Sequence, residues 1–175
     1  GVQTADLPDS IIPKCRVDES FLAEILTKKF ADHQPLYRIS EALTRQGITV
    51  SRQLLSQWVV RLGLGLKPLY NLMKKDILAS DNIFVDETPI EMLAPGKGKT
   101  HQGYMWIMRG GKSNDPPNRI YDFRTNRKHE NLPDLIGDYG GILHSDKYGA
   151  YETLAGQGKI TWCPCWSHIR RKFFE

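Results

Sequence analysis

The sequence predicts a mixed α/β fold, with a helical N-terminal region followed by a mixed-sheet domain. Three observations predict it. Up to about residue 78 the apolar residues recur at helical spacing. After Ser80 they change to short runs rich in Ile, Val, Tyr, Phe and Trp, bounded by Gly and Pro. Those runs then come in the order strand, strand, strand, helix, strand, helix, strand, helix.

Residues 1–19, with prolines at 8 and 13, read as an irregular linker. Ser20 then stands before Phe21, Leu22, Ile25, Leu26 and Phe30, an N-cap followed by an apolar stripe. The run from Ala31 to Pro35 breaks this helix. Leu36, Tyr37, Ile39, Ala42 and Leu43 mark a second helix that ends near Gly47. Ser51 caps a third, with Leu54, Leu55, Trp58, Val59 and Leu62 on its inner face. Helix, short turn and capped helix is the arrangement of a helix-turn-helix. The outward side of the third helix carries Arg52, Gln53, Ser56, Gln57 and Arg61. Arginine and glutamine can read base edges with two hydrogen bonds, and serine can reach phosphate or base. The other reading of the same pattern is a three-helix packing unit with a solvated polar face. A fourth helix, Leu66 to about Leu78, links this region, residues 20–79, to the second.

The second region, residues 80–175, reads as five strands. They are Asn82 to Thr88, Gly103 to Arg109, Arg119 to Arg124, Gly141 to Asp146 and Lys159 to Cys163. Hairpin turns fit the Pro95-Gly96-Lys97-Gly98 stretch and the Gly110-Gly111 to Pro116-Pro117 stretch. Helices are expected over His129 to Asp138, over Ala150 to Leu154, and from about Ser167. A meander of three strands followed by helix, strand, helix and strand is the order of a ribonuclease H-like fold. In that order the first strand and the end of the fourth lie side by side, so carboxylates there converge.

Bulk properties narrow the class. With 40% hydrophobic residues in 175, the chain can bury a real core. Mean hydropathy is −0.44 and no apolar run approaches the roughly 18 residues of a membrane span. There is no signal-like N-terminus, so the expected setting is cytoplasmic. The net charge of +4 is weak evidence by itself. Its distribution says more. From His33 to Lys75 the basic residues are Arg38, Arg45, Arg52, Arg61, Lys67, Lys74 and Lys75, and the only acid is Glu41. A second basic knot, Arg170-Arg171-Lys172, stands near the C-terminus. Three cysteines, Cys15, Cys163 and Cys165, do not make a disulfide scaffold. The chain starts without Met and stops at Glu175 inside a helical pattern, so it reads as a piece of a longer protein with its second domain incomplete.

Asp86 follows the apolar run Ile83-Phe84-Val85, where a charge is costly unless it is paired or binds a metal. Asp146 ends the apolar strand containing Ile142 and Leu143. Phosphodiester cleavage by two hard cations, roughly 3.5–4 Å apart, needs such carboxylates. Mg²⁺ keeps several waters and takes one or two of them together with substrate phosphate oxygens. The expectation is therefore a dry, preformed Asp86–Asp146 pair. Each aspartate could equally end a strand or cap a turn. Glu87 faces the opposite side and reads as structural support, whereas Thr88 shares Asp86's face. Cys163, Cys165 and His168 also allow a zinc reading, but zinc wants four ligands and only three are present at this locus. Cys165-x-x-His168 reads better as a local hydrogen-bonding element packed beside the acidic site.

Four stretches carry a family resemblance: Lys28 to Arg38, Val85-Asp86-Glu87-Thr88-Pro89, His144 to Tyr151, and Cys165 to Phe174. Through them the chain, over nearly all of residues 11–175, resembles the single-protein transposases of the insertion sequence 66 family, bacterial members of the DDE transposase group. The resemblance implies that Asp86 and Asp146 are the first and second catalytic, metal-binding aspartates. It also implies that Cys165 and His168 match the C-x-x-H element of related transposases. The cofactor implied is Mg²⁺ or Mn²⁺, two ions in the complete enzyme. The third carboxylate of a DDE enzyme, a glutamate, is expected beyond an inserted helical region. Glu175 is the only acid after Cys165-x-x-His168; it could be the third ligand, but it reads better as a surface residue of the last helix, so the chain is expected to carry two thirds of the triad. The reaction implied is cleavage at the transposon end to free a 3′-hydroxyl, which then attacks target DNA. The helix-turn-helix would hold the terminal inverted repeat, Arg170, Arg171 and Lys172 would grip phosphates, and homo-oligomers would act on paired ends. Two rivals stand beside this: a ribonuclease H-like nuclease without strand transfer, and a catalytically inactive DNA-binding remnant.

Overall fold

The computed structural model describes residues 10–94, 96, 98–111, 117–171 and 173–174. The chain divides into two compact units, residues 1–68 and 69–175.

In the first unit, helix α1 spans Glu19–Leu26. Its cap is Asp18, not the expected Ser20. The Asp18 backbone is extended, and its carboxylate accepts the Phe21 N–H at 2.9 Å. Ser20 lies in the first turn and donates its hydroxyl to the same carboxylate. An anionic acceptor at a helix N-terminus binds the free amides more strongly than a hydroxyl does. One turn of π-helix, Thr27–Ala31, follows. Its wider winding carries Phe30 off the apolar stripe, so that residue is exposed. Helix α2 spans Leu36–Arg45 and ends at Gly47, whose φ of 83° suits glycine. Helix α3 spans Arg52–Gly65, and Ser51 caps it by accepting the Leu54 N–H at 3.2 Å. Leu22, Ile25, Ile39, Leu43, Leu55, Trp58 and Leu62 form the core of this unit. Ile12 joins them at 1% exposure, although its stretch of sequence reads as linker. Leu54, expected on the inner face of α3, is exposed.

Helix α4 spans Lys67–Leu78 and buries Ile77 in the core of the second unit. The sheet order is β3-β2-β1-β4-β5. The strands are β1 (Asn82–Leu93), β2 (Thr100–Gly110), β3 (Asn118–Arg124), β4 (Ile142–Ser145) and β5 (Thr161–Pro164). β1, β2 and β3 are antiparallel neighbours, while β4 runs parallel to both β1 and β5. This is the ribonuclease H-like order. β1 extends past Thr88 through Pro89, because pairing with β4 stops at Phe84 while pairing with β2 continues to Leu93. Pro89 therefore sits where the strand has one partner, the setting in which sheets tolerate proline.

Helices α5 (Asn131–Ile136) and α6 (Gly149–Gly156) supply Leu132, Leu135, Ala150, Tyr151 and Leu154 to a core shared with Ile83, Val85, Trp106, Met108 and Leu143. Gly141 is required at the entry to β4: a Cβ there would come within 2.7 Å of the Asp81 carbonyl. Phe84, Tyr121 and Phe123 on the opposite face of the sheet are exposed. Helix α7 spans Trp166–Arg171. Among the described residues no helix is long and apolar enough to cross a membrane. Some positions with a sequence-based expectation lie outside the described residues: Pro95 and Lys97 in the first turn, the stretch before Pro117 in the second, and Lys172 and Glu175 at the C-terminus.

Candidate active site

Parallel pairing of β1 with β4 matches Phe84 to His144. Two residues further along each chain stand Asp86 and Asp146, the latter directly after the last residue of β4. Side chains alternate along a strand. Ile83 and Val85 therefore point into the core, and Phe84, Asp86 and Thr88 point to the open face, where all three are exposed. This corrects the expectation of a dry pair. Asp86 is reachable by water, and its Oδ1 accepts the Glu87 N–H at 3.0 Å. The carboxylate that the apolar strand does bury is Glu87, whose side chain is 1% exposed.

Asp86 and Asp146 line one cavity of about 570 Å³, together with Phe84, His144, Cys165 and His168. Thr88 shares the face of Asp86 but lies outside this lining. Asp146 is held at both oxygens. Oδ1 accepts the Tyr148 N–H at 2.9 Å, at the start of α6, and Oδ2 accepts from Arg127 Nη2 at 3.1 Å. Arg127 also donates from Nε to Glu87 Oε1 at 2.8 Å, and again from Nη2 to the same oxygen. The Tyr151 hydroxyl donates to Glu87 Oε2 at 2.9 Å. The Arg127 guanidinium stacks over the Tyr148 ring at 4.2 Å, and the Tyr148 hydroxyl donates to the Arg127 carbonyl.

Burial pushes the Glu87 carboxyl above its ordinary range, against the downward pull of Arg127 and Tyr151. Burial among these carboxylates also raises the Tyr151 hydroxyl strongly, so it stays a donor. The sequence marks Glu87 as support and does not single out Arg127, Tyr148 or Tyr151. Strand alternation alone makes Glu87 inward-facing, but nothing local to Arg127 announces its partners, which lie 40 and 19 positions away.

Cys165 and His168 stand at the start of α7, joined by a backbone hydrogen bond. The Cys165 N–H donates to the Ser145 carbonyl at 2.7 Å, which ties the element to the end of β4. The His168 N–H donates to the Cys165 carbonyl at 3.1 Å. Hydrogen bonds from the His168 amide and ring hold the Cys165 thiol below its ordinary range. Among the described residues no three His, Cys, Asp or Glu side chains are placed to hold one metal ion. That leaves Cys163, Cys165 and His168 short of the four ligands zinc prefers. Asp86 and Asp146 suit a harder ion. Two carboxylates on an open cavity match the demand of Mg²⁺ or Mn²⁺, which fill their remaining positions with water and phosphate oxygens.

A second cavity, about 500 Å³, shares Asp146 and His168 with the first and is also lined by Arg127, Lys147, Tyr148, Arg171 and Phe173. Arg170 and Arg171 are exposed, with Arg170 over the Phe174 ring. In the helical unit, Arg52, Gln53, Ser56, Gln57 and Arg61 are all exposed. The first four line a shallow groove with Lys29 and Tyr37.

Residues 14–175 match the sequence profile of the Transposase IS66 family. The chain is 35% identical over 188 residues to "Uncharacterized protein y4qI" of Sinorhizobium fredii (strain NBRC 101917 / NGR234), covering 100% of this chain and 34% of that protein. It is 33% identical to "Uncharacterized protein y4jD" of the same organism, covering 100% of this chain and 36% of that one. The chain thus spans about a third of the length of the curated relatives it matches.

Proposed function

The chain belongs to the IS66 family of transposases, and from that premise we propose that it is the part of a DNA transposase that reads the transposon end and supplies two metal-binding carboxylates. The observation that carries this reading is the placement on one cavity of Asp86, within β1, and Asp146, directly after the parallel neighbour β4. Asp86 offers an exposed carboxylate from a rigid strand. Asp146 offers one oriented by the start of α6 and by Arg127. Bound Mg²⁺ or Mn²⁺ would activate the attacking oxygen and stabilise the leaving one. Cys165 and His168 brace the end of β4 beside that cavity. The exposed row from Arg52 to Arg61 on α3 reads base edges of the terminal inverted repeat, while Arg170 and Arg171 meet backbone phosphates. The protein works as a homo-oligomer on paired ends, first freeing a 3′-hydroxyl and then joining it to target DNA. The third carboxylate is contributed by residues other than those described.

The test uses full-length protein, labelled inverted-repeat DNA and Mn²⁺. Asp86→Ala and Asp146→Ala should each abolish nicking at the ends. Nicking by both variants at the wild-type rate overturns the metal-site reading. Nicking without joined products in the wild type favours a nuclease without strand transfer.

A further inference from the structure

We propose that Arg127 is a resident cation of the acidic site, one that neutralises Asp146 in the absence of a divalent ion and is retained on Glu87 when an ion takes Asp146. The inference rests on reading Asp86 and Asp146 as metal ligands. Arg127 acts through them as a positioning residue.

The two ends of the guanidinium bridge are unequal. Toward Glu87 the contact is doubled, from Nε and Nη2, and its acceptor is a carboxylate side chain only 1% exposed. Toward Asp146 the contact is single, 3.1 Å long, and its acceptor side chain is 25% exposed. Glu87 is fixed from behind by the Tyr151 hydroxyl, and Arg127 is fixed by its stacking on Tyr148. A buried carboxylate left without its counter-charge is costly, so the Glu87 end stays closed. The Asp146 end is the one that can open. A divalent ion approaching Oδ2 of Asp146 meets a like charge already on that oxygen. The repulsion between cations at such range is large in a partly desolvated cavity. Asp146 is therefore kept oriented and neutralised before an ion arrives, and ion affinity is set by competition with Arg127. Glu87 is the second seat that makes the exchange reversible: Arg127 gives up one hydrogen bond and keeps two.

The test is calorimetric titration of Mn²⁺ into the full-length protein without DNA. Four proteins are compared with wild type: Arg127→Gln, the double variant Glu87→Gln/Arg127→Gln, Arg127→Lys and Asp146→Ala. The double variant removes the buried carboxylate together with its partner, so it should fold even where the single one does not. Both neutral variants should bind Mn²⁺ at least about tenfold more tightly than wild type, whereas Arg127→Lys should stay close to wild type. Equal, weaker or undetectable binding by the folded neutral variants overturns the proposal. The failure of the metal-ligand reading looks different. If Asp146→Ala binds Mn²⁺ as well as wild type does, the ion sits elsewhere and both ideas fall. If Asp146→Ala loses binding and the neutral variants gain none, only the resident cation falls.

Discussion

Arg127 joins Glu87 to Asp146: one guanidinium donates to a carboxylate on the covered face of β1 and, at 3.1 Å, to a carboxylate at the end of β4. The buried end decides the energetics. Glu87 is 1% exposed at its side chain, so its charge depends on Arg127 and Tyr151 for compensation. The exposed end is the one open to ligands, because Asp146 lines both cavities.

Removing Arg127 should therefore be a stability defect before it is anything else. Arg127→Ala strands the Glu87 charge, and losing one partner of a buried pair costs about 3–5 kcal/mol. Glu87→Gln/Arg127→Ala should recover much of that loss, because no buried charge remains. Urea denaturation of wild type, Arg127→Ala, Glu87→Gln and Glu87→Gln/Arg127→Ala closes the cycle. A loss below about 1 kcal/mol for Arg127→Ala, the range of a surface pair, would mean that Glu87 is not held by this contact.

The strand order was legible because each strand carries its own signal: short apolar runs between Gly and Pro, in an order that few folds share. The parallel match of β1 to β4 follows from that order, so Asp86 and Asp146 could be named together. Their surroundings were harder. The run Ile83-Phe84-Val85 looks uniformly apolar, yet Phe84 turns to the open face, which makes Asp86 exposed and Glu87 buried. Strict alternation, counted from Ile83, contains that result. The bridge to Arg127 is not contained in any local pattern, since it forms across 40 positions of chain. Helix boundaries failed where two caps competed, as with Asp18 and Ser20, or where a π-turn shifted the phase ahead of Phe30.

The alkaline behaviour of the second unit is set in part by Tyr70. Its hydroxyl donates to Asp122 Oδ2 at 3.1 Å, and burial together with the Asp122 charge pushes it up to about 12 from 10.0. Between those values the folded state keeps a proton that the unfolded state loses. The contribution is complete below pH 10 and disappears as pH rises toward 12. Tyr70→Phe should therefore show a shallower decline of stability across that window. A difference ultraviolet titration against the variant checks the premise directly: ionisation of Tyr70 near pH 10 would remove it.

The proposed DNA recognition by α3 can be tested separately from folding, because the residues concerned are exposed while the core residues lie between them. Arg52→Ala and Gln57→Ala should each weaken binding to the inverted repeat by about 1–3 kcal/mol and leave the thermal melt unchanged. Binding to unrelated duplex should fall less for Gln57→Ala than for Arg52→Ala, since a neutral amide contributes little to phosphate attraction. Footprints on the inverted repeat identical to wild type in both variants would move end recognition to another part of the protein.

Ile12 offers a test of where the helical unit begins. It is 1% exposed and packs with residues from α1, α2 and α3, including Leu22, Ile39 and Leu55. The chain around it is irregular, so its burial comes from packing rather than from any helix of its own. Ile12→Ala should open a cavity and cost about 2–5 kcal/mol. The neighbouring Ile11 is exposed, and Ile11→Ala should lie within about 0.5 kcal/mol of wild type. The comparison is best made by urea denaturation of residues 10–175. Equal effects of the two substitutions would return this stretch to the role of a linker, and a large effect confined to Ile12 would make it the fourth wall of the helical core.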